Sequence, residues 1–126
     1  MKLGKLDPAD KAFSIFIRKR DGKCVRCKRR GSGDEGIFGL QCSHYFGRSR
    51  EGTRYDPDNA DALCFACHQY WGSTDYESYR EFKTRQLGEK RYKALTIRAR
   101  LYCRKDRKMA LLVVRELAKQ HERPMS

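Results

Sequence analysis

Two pairs of cysteines separated by the same two-residue gap, Cys24/Cys27 and Cys64/Cys67, are the residues best placed to do chemistry in this chain. The gap lets both sulfurs of a knuckle reach one ion, and two knuckles supply the four thiolates of a closed, tetrahedral structural zinc site. Four unrelated buried or reactive cysteines are the plainer alternative, and the paired spacing counts against it. A redox role counts for less again, because one Cys-x-x-Cys would suffice and no thioredoxin-like βαβ pattern surrounds either pair. Cys42 and Cys103 have no knuckle partner and read as a small buried residue on a strand and as helix packing.

The chain has three histidines, and His44 and His68 sit between or directly beside the knuckles. Adjacent residues of a helix diverge by about 100°, so a helix that aims Cys67 at zinc turns His68 elsewhere. A strand ending in His44 and packed on that helix would bring the two imidazoles to opposite sides of a small cleft. One could activate water and the other hold a divalent metal. Phosphodiester hydrolysis needs that pairing: a base to form the nucleophile and a cation to neutralise charge on an already anionic phosphate and its leaving oxygen. Taken singly, each residue has a plainer role. His44 could be a partly buried strand histidine, His68 a helix cap, and Asn59 a turn residue after Asp56–Pro57–Asp58. The third histidine, His121, reads as solvated helix surface.

Gln41–Cys42–Ser43–His44, then Asp58–Asn59, then Leu63–Cys64–Phe65–Ala66–Cys67–His68 resemble the core of the HNH endonucleases, the ββα-metal or His-Me finger group. NinG-like HNH proteins of phages and prophages are the nearest in pattern. The likeness covers roughly residues 22–72, and the helical C-terminal half matches only loosely. It implies a metal-dependent DNA endonuclease in which His44 is the general base, Asn59 orders the loop and orients that base, and His68 ligates a catalytic Mg²⁺ or Mn²⁺. Many HNH enzymes place an acidic metal ligand immediately before the first histidine, where this chain has Ser43. Fewer protein ligands leave more coordination to water and to the substrate phosphate. Weak metal binding without DNA follows, with a preference for Mn²⁺ or another ion that imidazole suits. Asp56, Asp58 and Asp61 are the candidates to replace the missing acid.

Charge points to the same class of partner. With 29 Lys and Arg against 16 Asp and Glu, the 126-residue chain carries a net charge of +13, a field that favours polyanions. DNA is the expected partner, with RNA left open and no required protein partner evident. Arg48, Arg50 and Arg54 flank His44 on a loop, and guanidinium groups pair bidentately with phosphate. Arg91, Arg98 and Lys105 recur at seven-residue spacing and would line one face of a continuous helix as a second phosphate-contacting stripe. Tyr76, Tyr79 and Tyr92 could stack on bases but at helical spacing are more often core. The same residues would also serve a non-catalytic, zinc-dependent nucleic-acid-binding module, in which His44 and His68 only pack, or a domain that recruits an acidic protein.

The elements that must position these residues amount to an α+β fold. We expect one domain over residues 1–126: a small ββα-metal, treble-clef-like core at about 22–72, an N-terminal helix before it, and a helical C-terminal half over about 73–121. Asp7–Pro8 and Asp10 mark the start of a first helix with Ala12, Phe13, Phe16 and Ile17 on one face, ending near Asp21–Gly22. Phe38, Leu40, Cys42, His44 and Phe46 share the parity of a strand face. Residues 47–61 read as a polar loop, and Leu63–Trp71 as a short helix broken at Gly72–Ser73. Thr74 and Glu77 form a capping box for a helix running to about Gly88. A further helix over Glu89–Cys103 buries Tyr92, Leu95, Ala99 and Tyr102. A last one from about Asp106 buries some of Leu111, Val113, Val114, Leu117 and Ala118, fraying after Gln120. With 39% hydrophobic and 36% charged residues the core is thin for this length, and zinc binding coupled to folding, worth roughly 10 kcal/mol or more, would compensate; its removal should unfold the domain. No stretch approaches the roughly 18 apolar residues of a membrane span, and Met1 to Leu6 lack an apolar signal core. A cytoplasmic, reducing setting is therefore expected, where cysteines ligate metal rather than pair.

Overall fold

The computed structural model describes residues 7–122, so the reading of Met1 to Leu6 lies outside them. Helix α1 spans Pro8–Asp21. Its start is fixed as the sequence suggests: the Asp7 side chain accepts from the Ala9 amide at 2.8 Å, and Pro8 occupies the first turn. Its end is fixed by Gly22, whose φ of 66° lets its N–H close back on the Arg18 carbonyl. Ala9, Phe13, Phe16 and Ile17 are buried along one face.

Strands β1 (Leu40–His44) and β2 (Ala60–Cys64) form a two-stranded antiparallel sheet, with Leu40 opposite Cys64 and His44 opposite Ala60. The expected strand from Phe38 is shorter, because Gly39 turns the chain with φ 88° and leaves Phe38 76% exposed. The expectation that one parity faces the core is also too simple. Both sheet faces are covered: Cys42 and the His44 ring lie on the α1 side, and Tyr45 packs on Tyr79 from the opposite side. Strand β2 corrects the assignment of residues 47–61 to loop. All five of its residues are buried, and Asp61 is tolerated there because Lys83 Nζ lies 2.7 Å away and Tyr79 Oη and Gln86 Nε2 donate to it at 3.0 Å. A short helix α2 (Glu51–Arg54) and a 3₁₀ turn (Pro57–Asn59) lie within the same stretch.

Helix α3 (Phe65–Gln69) does not stop at Gly72 but widens into a π turn over Tyr70–Thr74. The next helix, α4 (Tyr76–Arg100), is capped by Asp75 and not by a Thr74–Glu77 box: the Asp75 carboxylate accepts from the Ser78 amide at 3.1 Å and its hydroxyl at 2.6 Å. Gly88 interrupts α4 with φ 79° and ψ 165°, the place where the sequence signals a break. The second half ends at Arg100, short of Cys103, so Tyr102 is 94% exposed instead of packed, Cys103 is exposed, and Lys105 is not on the helix that carries Arg91 and Arg98. Helix α5 (Arg107–Glu122), with the Asp106 carboxylate accepting from the Met109 amide, lies against α1, burying Val114 fully and Leu117 and Ala118 in part. Val113 stays exposed. The helix passes Gln120, where fraying was expected, and carries an exposed His121 whose ring meets Phe16 edge-on.

Two cores result. Leu40, Tyr45, Leu63, Trp71, Tyr79 and Leu95 pack on the α4 side of the sheet, and Phe13, Phe16, Ile17 and Val114 between α1 and α5. Among the described residues no helix is long and apolar enough to cross a membrane.

Candidate functional site

The knuckles meet. The sulfurs of Cys24, Cys27, Cys64 and Cys67 all lie within 4.8 Å of one another, one pair contributed by the turn after α1 and the other by the β2–α3 junction. Zinc–sulfur bonds of about 2.3 Å in a tetrahedron require sulfur separations of roughly 3.8 Å, and Cys27 and Cys64 are 3.8 Å apart. Four sulfurs of this spacing are positioned to hold a metal ion, and the donor set suits zinc. Arg26 supports the site from outside: its guanidinium donates to Cys67 Sγ at 3.3 Å and lies 4.2 Å from the centre of the Tyr70 ring. Four thiolates around a dication leave net negative charge, which a neighbouring guanidinium offsets. Cys42, by contrast, is pushed up to about 12 by burial and sits apart from the cluster, consistent with packing.

On the other side of the sheet a cleft of about 700 Å³ opens between α1 and β1, and both His44 and His68 line it. Strand β1 delivers His44 at its last residue, and α3 delivers His68 one residue beyond a metal-facing cysteine. His44 Nε2 lies 3.0 Å from the Arg54 carbonyl oxygen. A carbonyl only accepts, so Nε2 carries the hydrogen and Nδ1 keeps a free lone pair. His68 Nδ1 lies 2.6 Å from Gln41 Oε1; by the same logic its Nε2 is left free. Burial holds both imidazoles below the usual histidine range, the Arg54 carbonyl opposing this at His44. Both rings are therefore neutral near pH 7, the form a base or a metal ligand needs.

Asn59 is fully buried and ties the loop after β1 to β2. Its Oδ1 accepts from the Phe46 amide at 2.8 Å, and its Nδ2 donates to the carbonyls of Phe46 at 2.9 Å and Thr53 at 3.0 Å. Thr53 precedes Arg54, the residue whose carbonyl holds His44. Asn59 thus acts on the base through one residue of backbone, without touching the cleft.

The arginines divide. Arg48 is exposed on the cleft rim. Arg54 is turned inward, its guanidinium gripping both carboxylate oxygens of Asp10 at 2.9 and 2.5 Å. Arg50 donates to the Ala99 carbonyl at 3.2 Å. Arg91 and Arg98 pair with Asp58 at 2.6 Å and Asp56 at 2.7 Å, clamping α4 onto the 3₁₀ turn. None of the three acids considered as substitutes lines the cleft: Asp56 and Asp58 are held by these arginines, and Asp61 by Lys83. Ser43 is buried and its hydroxyl donates to Tyr79 Oη at 3.1 Å, the phenol hydrogen being given to Asp61, which puts its side chain away from the cleft.

Two cleft residues were not legible as functional. Gln41 orients His68, and Asp10 on α1 is the one carboxylate among the cleft's lining residues. Gln41 carries a signal only as the first residue of the Gln41–Cys42–Ser43–His44 run; Asp10 reads only as a first-turn acid. No protein-family model matches the chain, and neither a curated protein nor a solved structure does.

Proposed function

We propose that the protein is a metal-dependent endonuclease that hydrolyses phosphodiester bonds in DNA, built on a ββα-metal, treble-clef-like core around a structural zinc. The observation that carries this is the cleft shared by His44 and His68, in which each ring has one nitrogen committed to an oxygen acceptor and the other free. Two neutral imidazoles with fixed tautomers, beside an exposed Arg48, suit a base, a metal ligand and a phosphate grip.

In this scheme Arg48 binds the phosphate at the cleft mouth. His44 Nδ1 accepts a proton from water as the water oxygen bonds to phosphorus, and the bond from phosphorus to the leaving sugar oxygen breaks, that oxygen taking a proton from solvent. The Arg54 carbonyl stabilises the imidazolium through Nε2–H, and Asn59 keeps that carbonyl in place. A divalent cation, Mg²⁺ or Mn²⁺, held by His68 Nε2 would neutralise charge on the phosphate and the leaving oxygen. Gln41 orients His68 for this role.

Zinc-loaded, chelator-washed protein should nick supercoiled plasmid or cut single-stranded DNA when Mn²⁺ or Mg²⁺ is added, and His44→Ala should abolish the cleavage while leaving the fold and DNA binding intact. Cleavage that survives His44→Ala would remove His44 as base. One observation favours a second reading, a zinc-dependent nucleic-acid-binding module: the only carboxylate lining the cleft, among the described residues, is already engaged by an arginine. Tight DNA binding without cleavage in any metal would establish that alternative.

A further inference from the structure

Asp10 lines the cleft and pairs with Arg54 behind it, an ion pair that the proposed mechanism does not use. Asp10 is 7% exposed, projects from α1 into the cavity shared by His44 and His68, and has both oxygens on the Arg54 guanidinium. The guanidinium also donates to the Arg48 carbonyl at 3.2 Å, so it sits under the rim where a phosphate would arrive. Its backbone carbonyl, independently, holds His44. Among the described residues the four cysteines are the only cluster of three or more such ligands within 4.8 Å, so Asp10, His44 and His68 do not form a ready-made cation cage.

We propose that Asp10 is the acidic ligand of the divalent cation in this cleft and that Arg54 holds it in reserve: an entering phosphate takes over the guanidinium, and the released carboxylate joins His68 on the cation. The inference rests on the nuclease reading and deepens it. A planar guanidinium offers the same bidentate fork to phosphate as to carboxylate, so the exchange is close to isosteric. Charge favours a concerted swap. A cation entering alone would sit beside Arg54 with Asp10 already neutralised, whereas with phosphate present Arg54 faces one anion and the cation another. A buried carboxylate is never left unpaired in either state. Metal and DNA must then bind cooperatively, each tightening the other by the same factor.

The test is Mn²⁺ binding to zinc-loaded protein, read by depletion of the free-ion EPR signal, with and without a short phosphorothioate-linked DNA oligomer, the oligomer alone serving as blank. Wild type should bind weakly by itself and roughly 5- to 150-fold more tightly with oligomer, the usual range of such coupling. Arg54→Gln, which leaves the backbone carbonyl on His44, should bind Mn²⁺ tightly without oligomer. Asp10→Asn should lose the oligomer-promoted gain. Should that variant misfold because it strands a buried arginine, the double variant Asp10→Asn/Arg54→Gln leaves no unpaired charge and should bind Mn²⁺ no better with oligomer than without. An unchanged gain in Asp10→Asn or in the double variant, or weak binding in Arg54→Gln, would reduce the pair to a structural tie between α1 and the loop. In that case wild-type cleavage would persist and only this inference would fall. If wild type binds no Mn²⁺ under either condition, the cation role of His68 falls with it.

Discussion

His44 and His68 are each half-spoken-for: one ring nitrogen anchored, one free, both rings held neutral by burial. The sign of the pH dependence follows. The unfolded chain takes up protons at the ordinary histidine value of 6.5 while the folded chain resists until a lower pH, so stability falls as pH drops through about 6.5 and levels off below the folded values. Urea unfolding at fixed zinc should show this slope, and His44→Gln should flatten part of it; an identical slope in the variant would mean that His44 titrates normally. Cleavage, which reports the folded chain, should be lost on the acid side only as pH falls through the depressed value of His44, at lower pH than an ordinary histidine would give. Asn59 invites a second test. Alanine there leaves the Phe46 amide and the Phe46 and Thr53 carbonyls without partners, a loss of about 2–4 kcal/mol if water does not replace them. A change under about 0.5 kcal/mol in the urea midpoint would show that water does. The residues the sequence made visible are those whose signal is local, a two-residue gap or an adjacent Cys–His. Asp10 stayed hidden because its site is assembled with loop residues far along the chain.

Among the elements, the helices with end signals were legible and β2 was not. Asp7–Pro8 and Gly22 bound α1 through short-range hydrogen bonds that any reader of the chain can anticipate. Ala60–Asp61–Ala62–Leu63–Cys64 carries an acid in mid-run and no alternation, so its burial depends on Lys83, Tyr79 and Gln86 from α4, partners that no local pattern announces. The break at Gly88 was legible for a physical reason: its φ of 79° with ψ of 165° is a region open essentially to glycine alone. The bend lets the second half of α4 bring Arg91 and Arg98 to Asp58 and Asp56. Gly88→Ala should therefore cost about 1–3 kcal/mol, all of it backbone strain, since an added Cβ would meet nothing within 4 Å. Gly52 offers the contrast: a Cβ there would lie 2.3 Å from the Arg98 carbonyl and force α2 off α4. If chemical denaturation finds Gly88→Ala neutral, α4 can run straight and the clamp on the turn is dispensable.

At the scale of the whole molecule, a net charge of +13 sets a long-range attraction for polyanions but does not say which groups meet them. The fold does much of that sorting. In the free protein Arg54, Arg91, Arg98 and Arg107 are paired with Asp10, Asp58, Asp56 and Glu51, tying α2 to α1 and α5, and α4 to the turn before β2. Arg48 sits exposed at the cleft, with no side-chain partner among the described residues. Each phosphate neutralised contributes about −0.9 to the slope of log affinity against log salt on duplex DNA, and about −0.7 on single strands. Arg48→Ala should therefore weaken binding and make the slope shallower by about that amount. Arg91→Ala should leave the slope nearly unchanged, because its charge is already matched by Asp58 in the free protein. Fluorescence anisotropy across a salt series separates the two. Equal losses of slope would mean that DNA pulls the α4 arginines away from their aspartates, and the long arm of α4 would then belong to the DNA-binding face.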